Sequence, residues 1–102
     1  PAQPINGTAA IDAHLTAFTV FGTYPNPFYD DVTIQVFLAE NEALTFDCYD
    51  ISGRLVFSRE IPELTKGLNY IKLYLGPLQS GNYSLVIKGE NHYSSKKLVK
   101  YR

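Results

Sequence analysis

Apolar residues recur at every second position in several short runs, and this spacing is what most restricts the fold. Val32, Ile34 and Val36 are interleaved with Thr33 and Gln35, and Leu44, Phe46 and Cys48 repeat the spacing. Ile71, Leu73 and Leu75 alternate with Lys72 and Tyr74, while Tyr83, Leu85 and Ile87 share a face in the same way. A period of two is that of a strand with one buried face, because successive side chains leave opposite sides of the pleat. No helical period competes with it.

The segments between these runs are rich in turn-forming residues. Ala17 to Phe21 suits a first strand, which Tyr24-Pro25-Asn26-Pro27 should stop, since two prolines remove two backbone donors. Asp50-Ile51-Ser52-Gly53 suits a type I turn in which the Asp carboxylate accepts backbone N–H groups and Gly tolerates positive φ. This turn leads into a strand from Leu55 to Glu60. After Pro62 and a Lys66-Gly67 turn comes the run around Ile71, which Gly76-Pro77 ends; Lys88-Gly89-Glu90-Asn91 then turns the chain into a last strand from His92 to Lys100. About seven short antiparallel strands at this spacing predict an all-β, immunoglobulin-like or fibronectin-like β-sandwich. In Leu78-Gln79-Ser80-Gly81-Asn82-Tyr83, Tyr83 follows a Gly-containing corner as a penultimate strand begins. This is the setting of a tyrosine corner, whose hydroxyl bonds upstream backbone.

Length and composition fit one domain. The chain has 102 residues, 45% of them hydrophobic, with 8 Tyr and 6 Phe, which suffices for a single core. Residues 1–16 lack a sustained period and read as a linker or loosely attached segment, leaving 17–102 as the domain. The chain contains no Met and begins at Pro1; it is expected to be a piece of a longer precursor with any export signal upstream. No run approaches the roughly 18 apolar residues of a membrane span.

Net charge is -1, which argues against neutralising nucleic-acid phosphates. The charge is unevenly distributed: nine acidic residues precede Thr65 against Arg54 and Arg59, whereas seven basic residues follow Leu64 against Glu90 alone. The basic end reads either as an interaction strand or as a solvated face whose lysines discourage edge aggregation.

Catalytic chemistry finds no support. His14 falls in the linker and His92 beside a turn, neither with a base or nucleophile to partner it. Cys48, the only cysteine, cannot form an internal disulfide, and its inward position marks an inert core thiol. Asp30-Asp31 could hold calcium through oxygen, but turn residues bonding their own backbone explain the pair more simply. No phosphate-cradling loop, zinc-ligand spacing or dinucleotide fingerprint occurs. The expected set of catalytic, cofactor and metal residues is therefore empty, with Tyr83 and Cys48 structural.

Several motifs occur together in a fixed order. Tyr24-Pro25-Asn26-Pro27-Phe28, followed by Asp31 and Val32-Thr33-Ile34, resembles the opening block of the type A C-terminal sorting domains of the type IX (Por) secretion system of Bacteroidetes. Tyr49-Asp50-Ile51-Ser52-Gly53-Arg54-Leu55-Val56 is similar to that family's central hairpin. Gly67-Leu68-Asn69, Leu78 to Tyr83 and Lys96-Lys97-Leu98-Val99-Lys100 resemble its later blocks, so the likeness spans Tyr24 to Arg102. Phe28, Cys48 and Tyr101 depart from the usual residues without breaking a turn or the core.

The resemblance implies a non-catalytic C-terminal secretion signal for a larger cargo protein. The cargo would pass through the periplasm to the type IX translocon and an outer-membrane shuttle protein, and so to the cell surface or medium. It also implies a sortase-like peptidase that removes the domain, with the cut in the linker, and attachment of the cargo at the surface. Candidate recognition residues are Pro25, Asn26, Pro27, Asp50, Gly53, Arg54, Gly81, Lys96, Lys97, Leu98, Val99 and Lys100, each of which also has a purely local explanation. An exposed edge strand offers a pairing surface to a second copy or a translocon component. The alternative function is an accessory carbohydrate-binding or adhesion sandwich in which Tyr29, Tyr70, Tyr74 and Tyr93 stack on sugar rings.

Overall fold

The computed structural model describes residues 18–101; the expected linker, residues 1–16, lies outside that range. The described chain forms β1 (Phe18–Tyr24), β2 (Asp31–Leu38), β3 (Glu42–Tyr49), β4 (Leu55–Leu64), β5 (Gly67–Tyr74), β6 (Gly81–Lys88) and β7 (Tyr93–Lys100). These make a three-stranded sheet ordered β1-β2-β5 and a four-stranded sheet ordered β4-β3-β6-β7. Every strand pairing is antiparallel. The all-β sandwich read from the alternation is therefore the fold.

The alternation also fills the core. Val32, Ile34, Val36 and Leu38 of β2 join Ile71, Leu73 and Phe18 from the three-stranded sheet, while Leu44, Phe46, Cys48, Tyr83, Leu85, Ile87 and Leu98 come from the other sheet. All are buried, and a fully buried aliphatic or aromatic side chain contributes roughly 1.5–3 kcal/mol. The outer face of the four-stranded sheet is polar by comparison. There Asp47 accepts from the Ser58 hydroxyl at 2.6 Å and pairs with Lys88 Nζ at 2.9 Å. Burial alone would push the Asp47 carboxyl up; the Ser58 and Lys88 contacts outweigh it and hold the group below the ordinary carboxylate range.

Two strands run further than their residues suggested. The first, expected over 17–21, continues to Tyr24 because the register shifts between Val20 and Gly22 and pairing then resumes from Gly22↔Gln35 to Tyr24↔Thr33. That shift is a β-bulge, which adds a residue to one strand without ending the ladder. The fourth, expected to stop at Glu60, passes through Pro62 to Leu64. β4 is the edge strand of its sheet, so a proline lacking its N–H can sit there without breaking a central ladder.

The turns follow their chemistry. Gly53 has φ of 87°, and its N–H donates to the Asp50 carbonyl at 2.9 Å, closing the turn between β3 and β4. The Tyr83 hydroxyl donates to the Gln79 carbonyl at 2.5 Å, the bond expected of a tyrosine corner. Tyr83→Phe should lower the unfolding free energy by about 1 kcal/mol; equal denaturant midpoints for the two proteins would show that the bond is dispensable.

Candidate functional site

Because each strand reverses the last, the β1–β2, β3–β4 and β5–β6 connections and the end of β7 gather at one pole of the sandwich. Cross-links confirm the grouping. Phe28 forms a parallel bridge with Lys100, and Leu75 N–H donates to the Asp30 carbonyl at 2.7 Å. The Asp50–Arg54 hairpin and the Pro77–Tyr83 corner line one cleft. All twelve candidate residues lie at this pole or on the strand that ends there.

The Pro-Asn-Pro loop acts as a clamp on β7. Tyr24-Pro25 and Asn26-Pro27 are both cis. Between them, Asn26 presents its side-chain amide to the outer edge of β7: Nδ2 donates to the Lys97 carbonyl at 2.8 Å, and Oδ1 accepts from Val99 N–H at 2.9 Å. Phe28 continues the ladder, donating to the Val99 carbonyl and accepting from Tyr101 N–H, both at 2.8 Å. An otherwise open strand edge is thereby covered along its last third, one way sheets avoid edge-to-edge association. The Phe28 side chain is fully buried.

The last strand, read from the sequence as either an interaction strand or a solvated basic face, is unevenly exposed. Leu98 and Lys100 are buried, Lys96 is half-buried and Lys97 is exposed. Lys100 sends Nζ to the Tyr29 carbonyl and lies 5.7 Å from the Phe28 ring centroid, close enough for a cation–π contact. Its aliphatic stem is therefore core material. Leu98 and Lys100 shape the surface from beneath, while Lys97 presents charge to solvent.

The hairpin is a second rigid element. Asp50 Oδ1 accepts from Ser52 N–H at 2.9 Å, Ser52 Oγ at 2.6 Å and Arg54 N–H at 3.0 Å. Oδ2 lies 3.3 Å from Arg54 Nε. The Ser52 hydroxyl first, then the Arg54 amide, hold the Asp50 carboxyl below the ordinary range. Gly53 serves this turn, and Gly81, with φ of 147°, opens β6; both backbone angles are ones that glycine adopts readily.

The cleft that the hairpin and the corner line is open, about 550 Å³ in volume, and its residues include Ile51, Arg54, Val56, Leu78, Ser80 and Asn82. A second cleft of about 340 Å³ adjoins it, sharing Asp50, Ile51, Asn82 and Tyr83 and extending to Lys97. Sequence reasoning named the Asp50–Arg54 hairpin, Gly81 and Lys97 but neither singled out Ile51 nor included Asn82, which line both clefts; an isoleucine at a turn position was the available signal.

A family model for the secretion system C-terminal sorting domain matches residues 22–101. The chain belongs to that family. The sorting domain is accordingly a type IX C-terminal secretion signal, which directs export to the cell surface or extracellular space. It also resembles a solved structure, described as dimeric latent PorU from Porphyromonas gingivalis, with a TM-score of 0.65 and 21% identity. The likeness covers 82% of this chain and 9% of that one, so it supports the fold of the sorting domain and no more. Among curated proteins, none matches.

Among the described residues, Cys48 and four tyrosines belong to the rival readings. Cys48 is fully buried in the core, and burial pushes its thiol up to about 11, away from the thiolate a nucleophile needs. The four tyrosines of the carbohydrate reading do not all share one face, although Tyr70 and Tyr74 are both exposed on the outer side of one strand. Tyr70 and Tyr74 lie on β5, Tyr93 lies on β7 of the other sheet, and Tyr29 packs against Tyr101 with ring centroids 5.1 Å apart.

Proposed function

We propose that the sorting domain is read through its motif pole, comprising the Asn26 clamp, the Asp50–Arg54 hairpin and the exposed flank of β7 around Lys97. The supporting observation is convergence. Asn26 and Val99, 73 positions apart, are hydrogen-bonded to each other, and Asp50, Ile51 and Lys97 line one cleft; a surface assembled in advance spares a partner the entropy of ordering it. The domain is an address without catalytic residues of its own. The cargo folds in the periplasm and is presented by this pole to the outer-membrane translocon and its shuttle protein. A sortase-like peptidase then cuts within residues 1–16, upstream of the first strand; such cleavage requires an extended, accessible backbone.

The test is to place residues 1–102 behind a periplasmic signal peptide and a fluorescent protein. Fluorescence should reach the surface or medium in a type IX-competent bacterium and stay periplasmic in a translocon-deficient one. Periplasmic retention in both strains would overturn the reading.

A further inference from the structure

The two adjoining clefts at the motif pole have a chemistry that the sorting role alone does not specify. They share Asp50, Ile51, Asn82 and Tyr83, so that side by side they form a two-lobed groove with Val56 and Pro77 in one lobe and Lys97 in the other. Ile51 stands at this junction with 85% of its surface exposed, although it belongs to a turn whose geometry is set by Asp50, Ser52 and Gly53. Nothing in the turn requires an apolar side chain there.

Charge is distributed to either side of that isoleucine. Arg54 has 76% of its side chain exposed and engages Asp50 through Nε alone; among the described residues its two terminal amino groups have no protein partner. Lys97 lines the far lobe, and its ammonium likewise has none. Asp50 is the only acidic lining residue, and its carboxylate already accepts three hydrogen bonds from its own turn. The groove therefore offers a planar guanidinium fork, suited to a carboxylate, then an apolar contact, then a second cation. Ser52, Ser80 and Asn82 add polar groups between them.

We infer that this groove binds an extended acidic peptide segment of a partner protein, with carboxylates at Arg54 and Lys97 and an apolar side chain against Ile51. This rests on the motif pole being the surface that is read. Extended backbone fits a shallow two-lobed groove, and alternate side chains of such a segment point the same way. A lone phosphate would use Arg54 or Lys97 but leave Ile51 without a role.

The test uses the 102-residue chain and a capped hexapeptide of alternating Glu and Leu, followed by amide chemical shifts. Shifts should appear at Ile51, Ser52, Asn82 and Ser84. Binding should weaken about tenfold when the Glu residues become Gln, or in the R54Q/K97Q double variant. Both substitutions are exposed and leave the Asp50 turn bonds to Ser52 and the Arg54 amide in place, so the thermal midpoint should hold. An I51S variant should weaken the Glu-Leu peptide without changing weak binding of inorganic phosphate.

Equal binding of the Gln peptide, shifts confined to another face, or full competition by phosphate at matched concentration would overturn the acidic-peptide groove. The R54Q/K97Q fusion separates this proposal from the one it rests on. Normal export despite lost peptide binding would reject the motif pole as the translocon-facing surface and leave the groove standing. Lost export with unchanged peptide binding would reject the groove's role and leave the pole.

Discussion

Deleting residues 96–102 should reduce surface display of a fused reporter to background and leave the reporter in the periplasm. The deletion acts twice. It removes Lys97, Val99 and the edge that Asn26 grips through two hydrogen bonds, and it strips Leu98 and Lys100 from the interior. Residues Gly81 to Leu85 of β6 lose their β7 partners, leaving an unpaired edge prone to association. The domain that remains should be unfolded or aggregated as well as unread.

A point substitution separates the two effects. Lys97→Glu reverses an exposed charge whose backbone contacts stay intact, so stability should change by no more than about 0.5 kcal/mol. Export should nevertheless fall if the pole is read. Pulse-labelled secretion assays alongside thermal melts of the isolated domain measure both. Normal display of the truncated reporter would remove β7 from the signal altogether. Normal display of a well-folded K97E protein would confine the role of β7 to structure.

The fold was legible because most strands bury one face only. In β2, β5 and β6 residue type and parity agree, so Val32, Ile71 and Leu85 announce both the strand and its orientation, whereas in β3 Asp47 is buried on the face opposite Phe46 and Cys48. Type and parity disagree in β7. Leu98 faces inward, and a period of two then requires Lys100 to face inward also, yet a lysine reads as solvent-exposed from composition alone. Parity prevails because the long stem can pack while Nζ reaches the Tyr29 carbonyl.

The site was legible in its parts but not in its assembly. Asp50, Gly53 and Tyr83 carry local turn chemistry that operates over at most four residues, and short-range rules capture it. The Asn26 clamp acts across 71 and 73 residues, beyond any spacing argument. Even so, the common pole follows from counting: seven strands that each reverse direction place alternate connections and the last strand's end together. What no count supplies is the junction of the two clefts at Ile51, which depends on how the sheets pack.

Replacing Phe28 with Ala should be the most destabilising single change at the motif pole, costing about 3–5 kcal/mol. The ring is fully buried, so truncation removes its transfer free energy and leaves a cavity that the surrounding strands can only partly fill. It also removes the aromatic face near Lys100 Nζ, leaving a buried ammonium with the Tyr29 carbonyl but no ring. The Phe28 backbone bonds to Val99 and Tyr101 do not depend on the side chain and should persist. Against a typical domain stability of about 5–15 kcal/mol, the loss is large enough to read in a urea titration. Asn26→Ala should cost less, about 1–3 kcal/mol, by leaving the Lys97 carbonyl and Val99 amide without their partner. Because both residues hold the same stretch of β7, the double variant should lose less than the sum of the two: once one grip is released, the other has a looser strand to hold. Strict additivity in a double-mutant cycle would show that Asn26 and Phe28 act on β7 independently. A Phe28→Ala cost below about 1 kcal/mol would show that the Phe28 ring contributes little to holding the strand.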